Sequence, residues 1–288
     1  MKYFKRMFLL LTSFVLMLGC ASCGGDDTAQ SSEPDSSEVA SVSSDGSETA
    51  SSEAASSDIS SVDRQVNIVP SENQNEDNFY TYNVDGDGIR VLFVGNSITK
   101  HAPKPDMGWY NDCGMAASSV DNDYVHILMK RILEIHPNAS FAILQVADYE
   151  REFFYMEPKD YYKEARNFDA DVVTMFFGAN VQSNYETMPN PNKTFEKAYG
   201  DLRKWLDPDG DAFFIHSEGF YVREKLDEEK KKVSKKYGDV FISTADILAR
   251  NDVYGQFNHP NDTGMLAIAD NFWSVMEKEV KAYPEKHQ

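Results

Sequence analysis

From residue 89 onward the sequence predicts an α/β fold, a three-layer αβα sandwich around a parallel five-stranded sheet. Two observations carry that prediction. Five short runs, 89–94, 141–146, 172–177, 212–216 and 240–242, are apolar on consecutive positions rather than on alternate ones, as strands covered on both faces are. A helical pattern stands between each pair of runs and after the last. Strict alternation of this kind implies parallel neighbours joined by right-handed crossovers, with helices on both faces of the sheet.

The chain opens differently. Met1–Leu18 carries Lys2, Lys5 and Arg6 ahead of an apolar run from Met7 to Leu18, a hydrophobic segment too short to span a bilayer stably. The run closes on Leu18-Gly19-Cys20, which resembles a bacterial lipoprotein cleavage box. Residues 1–19 are therefore expected to be a signal peptide. Cys20 is expected to become the lipidated N-terminus of an extracytoplasmic protein anchored to the bacterial cell membrane. Cys23, behind Cys20-Ala21-Ser22, is the weaker alternative.

Residues 20–78 follow as a tether. From Gly24 to Asn78 the composition is dominated by Ser, Glu, Asp and Ala, with one basic residue, Arg64. Such a stretch cannot bury enough apolar surface to offset its ordering entropy, so it is expected to be disordered. Most of the chain's formal net charge of −19 sits in it. That balance argues against a nucleic-acid partner and leaves the N-terminal lipid as the expected membrane contact. Residues 79–288 suffice for one domain with a sizeable core. With Cys20 lipidated, Cys23 and Cys113 remain, which excludes a disulfide framework.

Within the domain, Asp85-Gly86-Asp87-Gly88 reads as the turn feeding the first strand; it echoes a calcium loop, but the twelfth position is Asn96, not Glu. Tyr124, Ile127, Leu128, Ile132 and Ile135 recur at helical spacing, with Pro137 just beyond. Asp160–Asn167 is a short helix candidate. Thr194–Leu206 is a longer one, closing on the turn Asp207-Pro208-Asp209-Gly210. Arg223–Tyr237, with Lys230–Lys232 and Lys235–Lys236, is charged enough to read as a solvated surface helix. The last helix, Met265–Val280, has Leu266, Ala269, Phe272, Trp273 and Met276 along one stripe.

In such sheets a ligand sits beyond the carboxyl ends of the strands, so the loops after the strands hold the candidates. Ser97, in Gly95-Asn96-Ser97, follows the first strand on a tight turn, although turn chemistry alone would also select Gly-Asn-Ser. Asn180, in Gly178-Ala179-Asn180, follows the third strand. Its amide could donate to a developing oxyanion or simply cap a turn. His259, in Asn258-His259-Pro260, precedes the last helix and could take a proton from Ser97. His101, close after Ser97, is its one rival.

Together these three blocks resemble the SGNH (GDSL-like) hydrolase superfamily. Gly95-Asn96-Ser97 matches its Gly-Asp-Ser block, Gly178-Ala179-Asn180 its Gly-x-Asn block, and His259-Pro260 its closing His-Pro. The resemblance implies a flavodoxin-like strand order, 2-1-3-4-5. It also implies an esterase with Ser97 as nucleophile, His259 as base, and Asn180 with the Ser97 N–H as oxyanion donors. No metal or organic cofactor is implied. Two departures stand out. The superfamily's Asp three residues before the His is Gln256 here, leaving a dyad oriented by a carbonyl or amide, or a substitute carboxylate. Asp262 is the first candidate for that acid, then Glu218 and Asp252. The expected glycine after the second strand is also missing, and Gly114 is the candidate replacement donor.

Aromatic residues in or near the crevice loops are Trp109, Tyr110, Tyr149, Phe153, Phe154, Tyr155 and Tyr185. About half of them are expected to pack inside. The rest would suit sugar rings, so the expected partner is an ester substrate, an acylated carbohydrate or polysaccharide. A non-catalytic glycan-binding domain and an envelope acyltransferase are the alternatives.

Overall fold

The structure, a computed structural model, describes residues 67–72, 78–187 and 193–286, all within one compact unit, Ser61–Gln288. The expected signal peptide, Cys20 and the tether as far as Val66 lie outside the described residues.

Six strands form one sheet: β1 (Phe79–Tyr82), β2 (Arg90–Gly95), β3 (Ser140–Gln145), β4 (Val172–Phe176), β5 (Phe213–Ser217) and β6 (Val240–Ile242). Their spatial order is β1-β3-β2-β4-β5-β6. Strands β2 to β6 are the five expected ones, all parallel, and they stand in the order that the resemblance implied. The sheet is mixed rather than wholly parallel because β1 joins its edge antiparallel to β3, with Phe79 opposite Leu144. Only Tyr80 and Tyr82 of its four residues are buried, too short an alternation to stand out in the sequence.

Residues 67–72 were expected to belong to the tether. Instead they lie along the outer edge of β1: Ser71 N donates to Thr81 O (3.0 Å), Asn83 N donates to Val69 O (3.0 Å), and Ile68 packs on the core. An uncovered β1 would present a row of unpaired peptide groups, and this segment blunts that edge.

The described helices are α1 (Tyr124–Ile135), α2 (Ala147–Glu152), α3 (Pro158–Tyr161), α4 (Lys163–Asn167), α5 (Phe195–Leu206), α6 (Glu224–Tyr237), α7 (Ala245–Leu248) and α8 (Asp262–Lys286). The consecutive apolar positions of the strands now have their reason. Val91 and Phe93 turn to one face and pack with Tyr124 and Leu128 of α1 and Phe272 of α8. Leu92 and Val94 turn to the other, toward Tyr199 and Leu202 of α5 and Val233 of α6. Each such side chain, fully buried, contributes about 1.5–3 kcal/mol.

Two helix expectations change. Asp160–Asn167 is broken into α3 and α4 at Tyr162 (φ −121°, ψ 40°), whose ring is buried beside Tyr149. The charged helix α6 is not a solvated one throughout. Leu226, Lys230 and Val233 form a buried stripe at three- and four-residue spacing, and Lys230 is 1% exposed.

The strands define two poles. Gly95, Gln145, Phe176 and Ser217 end at the upper pole; Arg90, Ser140 and Val172 begin at the lower. Asn67 lies at the lower pole, where its carbonyl accepts from Asn83 Nδ2 (3.3 Å). Helix α8 starts at the upper pole, and near its end Tyr283 lines a lower-pole cleft with Arg90 and Asp171. No helix among the described residues is long and apolar enough to cross a membrane.

Candidate active site

Ser97 owes its position to Gly95. A Cβ at residue 95 would stand 1.7 Å from Thr99 Oγ1 and 3.1 Å from Phe176 O, so only glycine lets the chain turn here. Thr99 is itself fixed, its Oγ1 2.8 Å from the Tyr124 hydroxyl. The Asn96 carbonyl then accepts from Thr99 N (2.9 Å) and Lys100 N (3.0 Å), and Asn96 Oδ1 accepts from Ile98 N (3.1 Å). This corner leaves Ser97 half-buried at the upper pole.

His259 arrives from the other side of the crevice on a looped segment. Gly255 N donates to His259 O (2.7 Å) and Asn261 N to Val253 O (2.9 Å). Between them Phe257 (φ 56°) and Asn258 (φ 59°) are both left-handed. Asparagine tolerates that region, but for a bulky phenylalanine it costs on the order of 1–3 kcal/mol. The turn brings the Phe257 carbonyl back to His259 Nδ1, 2.9 Å away, and His259 Nε2 stands 2.9 Å from Ser97 Oγ. A carbonyl can only accept, so Nδ1 carries the proton and Nε2 presents its lone pair to the serine hydroxyl. The Tyr221 hydroxyl donates to Asn258 O (3.1 Å) and lies 3.4 Å from Nδ1. Burial holds the imidazole below its ordinary pKa; the Phe257 carbonyl opposes that shift, and the charge of His101 adds to it.

None of the candidate acids faces the ring. Asp262 was expected to be the acid that orients His259, and it does not reach the ring. Its oxygens accept from Ser118 N (2.7 Å), Ser118 Oγ (2.6 Å) and Asn122 Nδ2 (3.2 Å), which pins the loop ahead of α1. The helix-start bond comes from Asn261, whose Oδ1 accepts from Gly264 N (3.0 Å). Glu218 accepts from Ser243 Oγ and Thr244 N, and Asp252 pairs with Arg250. The carbonyl of Phe257 stands where a carboxylate was sought.

Gly114 does not supply an oxyanion donor. Its N–H is spent on Asp123 Oδ2 (3.0 Å), and it is glycine because a Cβ would meet Ile98 O at 2.4 Å. His101 turns its Nδ1 to Ala102 O (2.6 Å), and the ring at Ser97 is that of His259.

Asn180 sits beyond β4 on a loop opened by Gly178 (φ 132°). Its amide donates to Glu150, a residue that sequence reasoning did not single out. Glu150 is fully buried and also accepts from Asn96 Nδ2 (3.0 Å) and Gly178 N. Arg151 Nη2 lies 3.4 Å from Asn180 Oδ1. Residues 147–151, in the stretch after the second strand where the expected glycine is missing, form most of α2, whose buried residues are Ala147, Tyr149 and Glu150. Ala147 and Glu150, three residues apart and so on one helical face, were the available signal.

Of the expected rim aromatics, Trp109, Tyr149, Phe153, Phe154 and Tyr185 pack inside, and Tyr110 (71% exposed) and Tyr155 (64%) face solvent. Tyr254 and Phe257, on the His259 loop, are exposed aromatics that the sequence reading passed over.

No family model and no curated protein matches the chain. Several solved structures are similar to it at low identity. A variant of an acetyl-xylooligosaccharide esterase from Geobacillus is 16% identical, with a TM-score of 0.45 over 66% of this chain and 94% of that one. A protein assigned as a GDSL-like lipase from Bacteroides uniformis is 14% identical, with a TM-score of 0.43 over 66% and 96%. A family two carbohydrate esterase from Cellvibrio japonicus is 14% identical, with a TM-score of 0.42 over 68% and 62%. The likeness is one of overall chain path, and it leaves the chemistry to be argued from the site.

Proposed function

We propose that the domain is a serine esterase that hydrolyses carboxylic esters through an acyl-enzyme. The observation that carries this reading is the 2.9 Å approach of Ser97 Oγ to His259 Nε2, with the other ring nitrogen held by the Phe257 carbonyl. In the first half-reaction Ser97 Oγ attacks the ester carbonyl carbon and its proton passes to Nε2. Asn180 and the Ser97 N–H stabilise the oxyanion, and Nε2–H then protonates the departing alcohol. In the second, water attacks the acyl carbon, His259 again takes the proton, and the acid leaves with Ser97 restored. With only a carbonyl dipole behind it, the imidazolium is less stabilised than in a Ser-His-Asp triad, so activated esters should react best.

For the substrate we propose an acetylated carbohydrate or polysaccharide. Exposed Tyr110, Tyr155, Tyr254 and Phe257 at the upper-pole loops support it, since aromatic faces suit sugar rings. The names of the similar esterases agree with that class. An assembled Ser97–His259 contact weighs against a purely glycan-binding role; transfer to an envelope acceptor would use the same acyl-enzyme. The Leu18-Gly19-Cys20 pattern supports export and lipid anchoring.

The test is hydrolysis of p-nitrophenyl acetate by the wild-type chain against Ser97→Ala. Turnover should fall by about a thousandfold or more with folding intact. A variant keeping more than about a tenth of the activity, only ~1.4 kcal/mol of barrier, would overturn the assignment.

A further inference from the structure

We infer that Glu150, backed by Lys230, is the positioning residue of the oxyanion site, holding the Asn180 amide so that one of its N–H groups is fixed and the other is left for the substrate carbonyl. The inference rests on the esterase reading above and extends it to residues that touch no substrate.

Glu150 has no exposed surface, and its recorded partners are all donors. They are Asn96 Nδ2 at 3.0 Å, Gly178 N, Asn180 Nδ2 and the Asn180 backbone N–H. A carboxylate offers only acceptors, so its two oxygens satisfy all four; burial nevertheless pushes its pKa up, against the pull of those donors. Asn180 is gripped at both ends of its amide, the nitrogen by Glu150 and the oxygen by Arg151 (3.4 Å), which decides which way the amide faces. Its backbone is gripped as well. The Phe177 carbonyl accepts from the buried Lys230 ammonium (3.3 Å), itself paired with Asp227 (2.6 Å), while the next N–H, of Gly178, meets Glu150. One peptide group thus has a cation at its oxygen and an anion at its nitrogen. On the far side of the loop, Arg223 donates to Val181 O (3.0 Å).

The hub also explains Asn96. An aspartate there would set a second carboxylate against Glu150, whereas the asparagine supplies a donor. A charge buried without a bonded cation is a poor way to stabilise a fold, and packing alone would be served by an apolar side chain. Aiming amide donors is what this carboxylate does that an apolar residue could not.

The decisive variant is Glu150→Gln, which keeps the shape but must turn an amide N–H toward one of the donors. With p-nitrophenyl acetate, kcat should fall about a hundredfold, as for a lost oxyanion donor, with KM within about threefold. The affinity for phenylboronic acid, whose serine adduct is tetrahedral and anionic, should weaken by a similar factor. Asn180→Ala added to Glu150→Gln should cost almost nothing further, because both act through one donor. A folded Glu150→Gln with wild-type kcat, or losses that multiply in the double variant, would overturn the inference. Should Glu150→Gln fail to fold, Lys230→Met approaches the same peptide from its carbonyl side. A roughly tenfold fall in kcat, non-additive with Asn180→Ala, is then expected, and full activity would overturn the inference. Ser97→Ala, assayed alongside, separates the two levels: if it is active the esterase reading falls, and if it is dead while Glu150→Gln is unimpaired only this inference does.

Discussion

His259 holds its ring between two oxygens of unequal kind, the Ser97 hydroxyl and the Phe257 carbonyl, each 2.9 Å away. Only the neutral ring can take the serine proton, so kcat/KM should be full above the His259 pKa and fall as pH drops through it. Burial first, and the charge of His101 after it, hold that pKa below 6.5, so the acid limb is expected below the ordinary histidine range. His101→Gln removes the repulsion, which should move the limb to higher pH and leave the plateau unchanged. A limb that stays put or moves down in a pH series would show that His101 does not act on the base. The same residues show what a sequence can disclose. Ser97 and His259 announce themselves through near neighbours, Gly95 and Pro260. Glu150 does not, because its partners lie 28 to 54 positions away. Gln256 signals that a carboxylate is missing, but every residue has a carbonyl, so no pattern could pick out that of Phe257.

At the scale of elements, the strand-to-loop corner after β2 is the least forgiving piece of the fold. Gly95→Ala drives a methyl into Thr99, whose hydroxyl meets Tyr124. It should destabilise the domain by about 3 kcal/mol, the upper range for overpacking, or roughly 6–12 °C in melting temperature for a domain of this size. Thermal unfolding of the variant measures it, and an unchanged midpoint would mean that the corner opens freely. The five parallel strands were legible because each is apolar on both faces, whereas β1 offers four residues and two buried tyrosines. Helix α6 misled for a physical reason. Lysine is normally solvated, and although Asp227 stands three positions before Lys230, nothing local shows that the pair will be buried against the carbonyl of Phe177.

For the whole molecule, alternation of strands and helices was enough to give the layers, but the strand order came from resemblance alone. Periodicity fixes which residues face inward and says nothing about which strand lies beside which. The poles of the finished sheet have a further meaning. Asn67 and the end of α8 both lie at the lower pole, and Ser97 lies at the upper. A folded partner fused ahead of Asn67 or after Gln288 should therefore leave kcat/KM on a large acetylated polysaccharide within about twofold; a loss beyond tenfold would show that long substrates sweep past the lower pole as well. Whatever is joined at either end therefore meets the pole opposite Ser97, and a broad ester can approach the crevice without passing the junction.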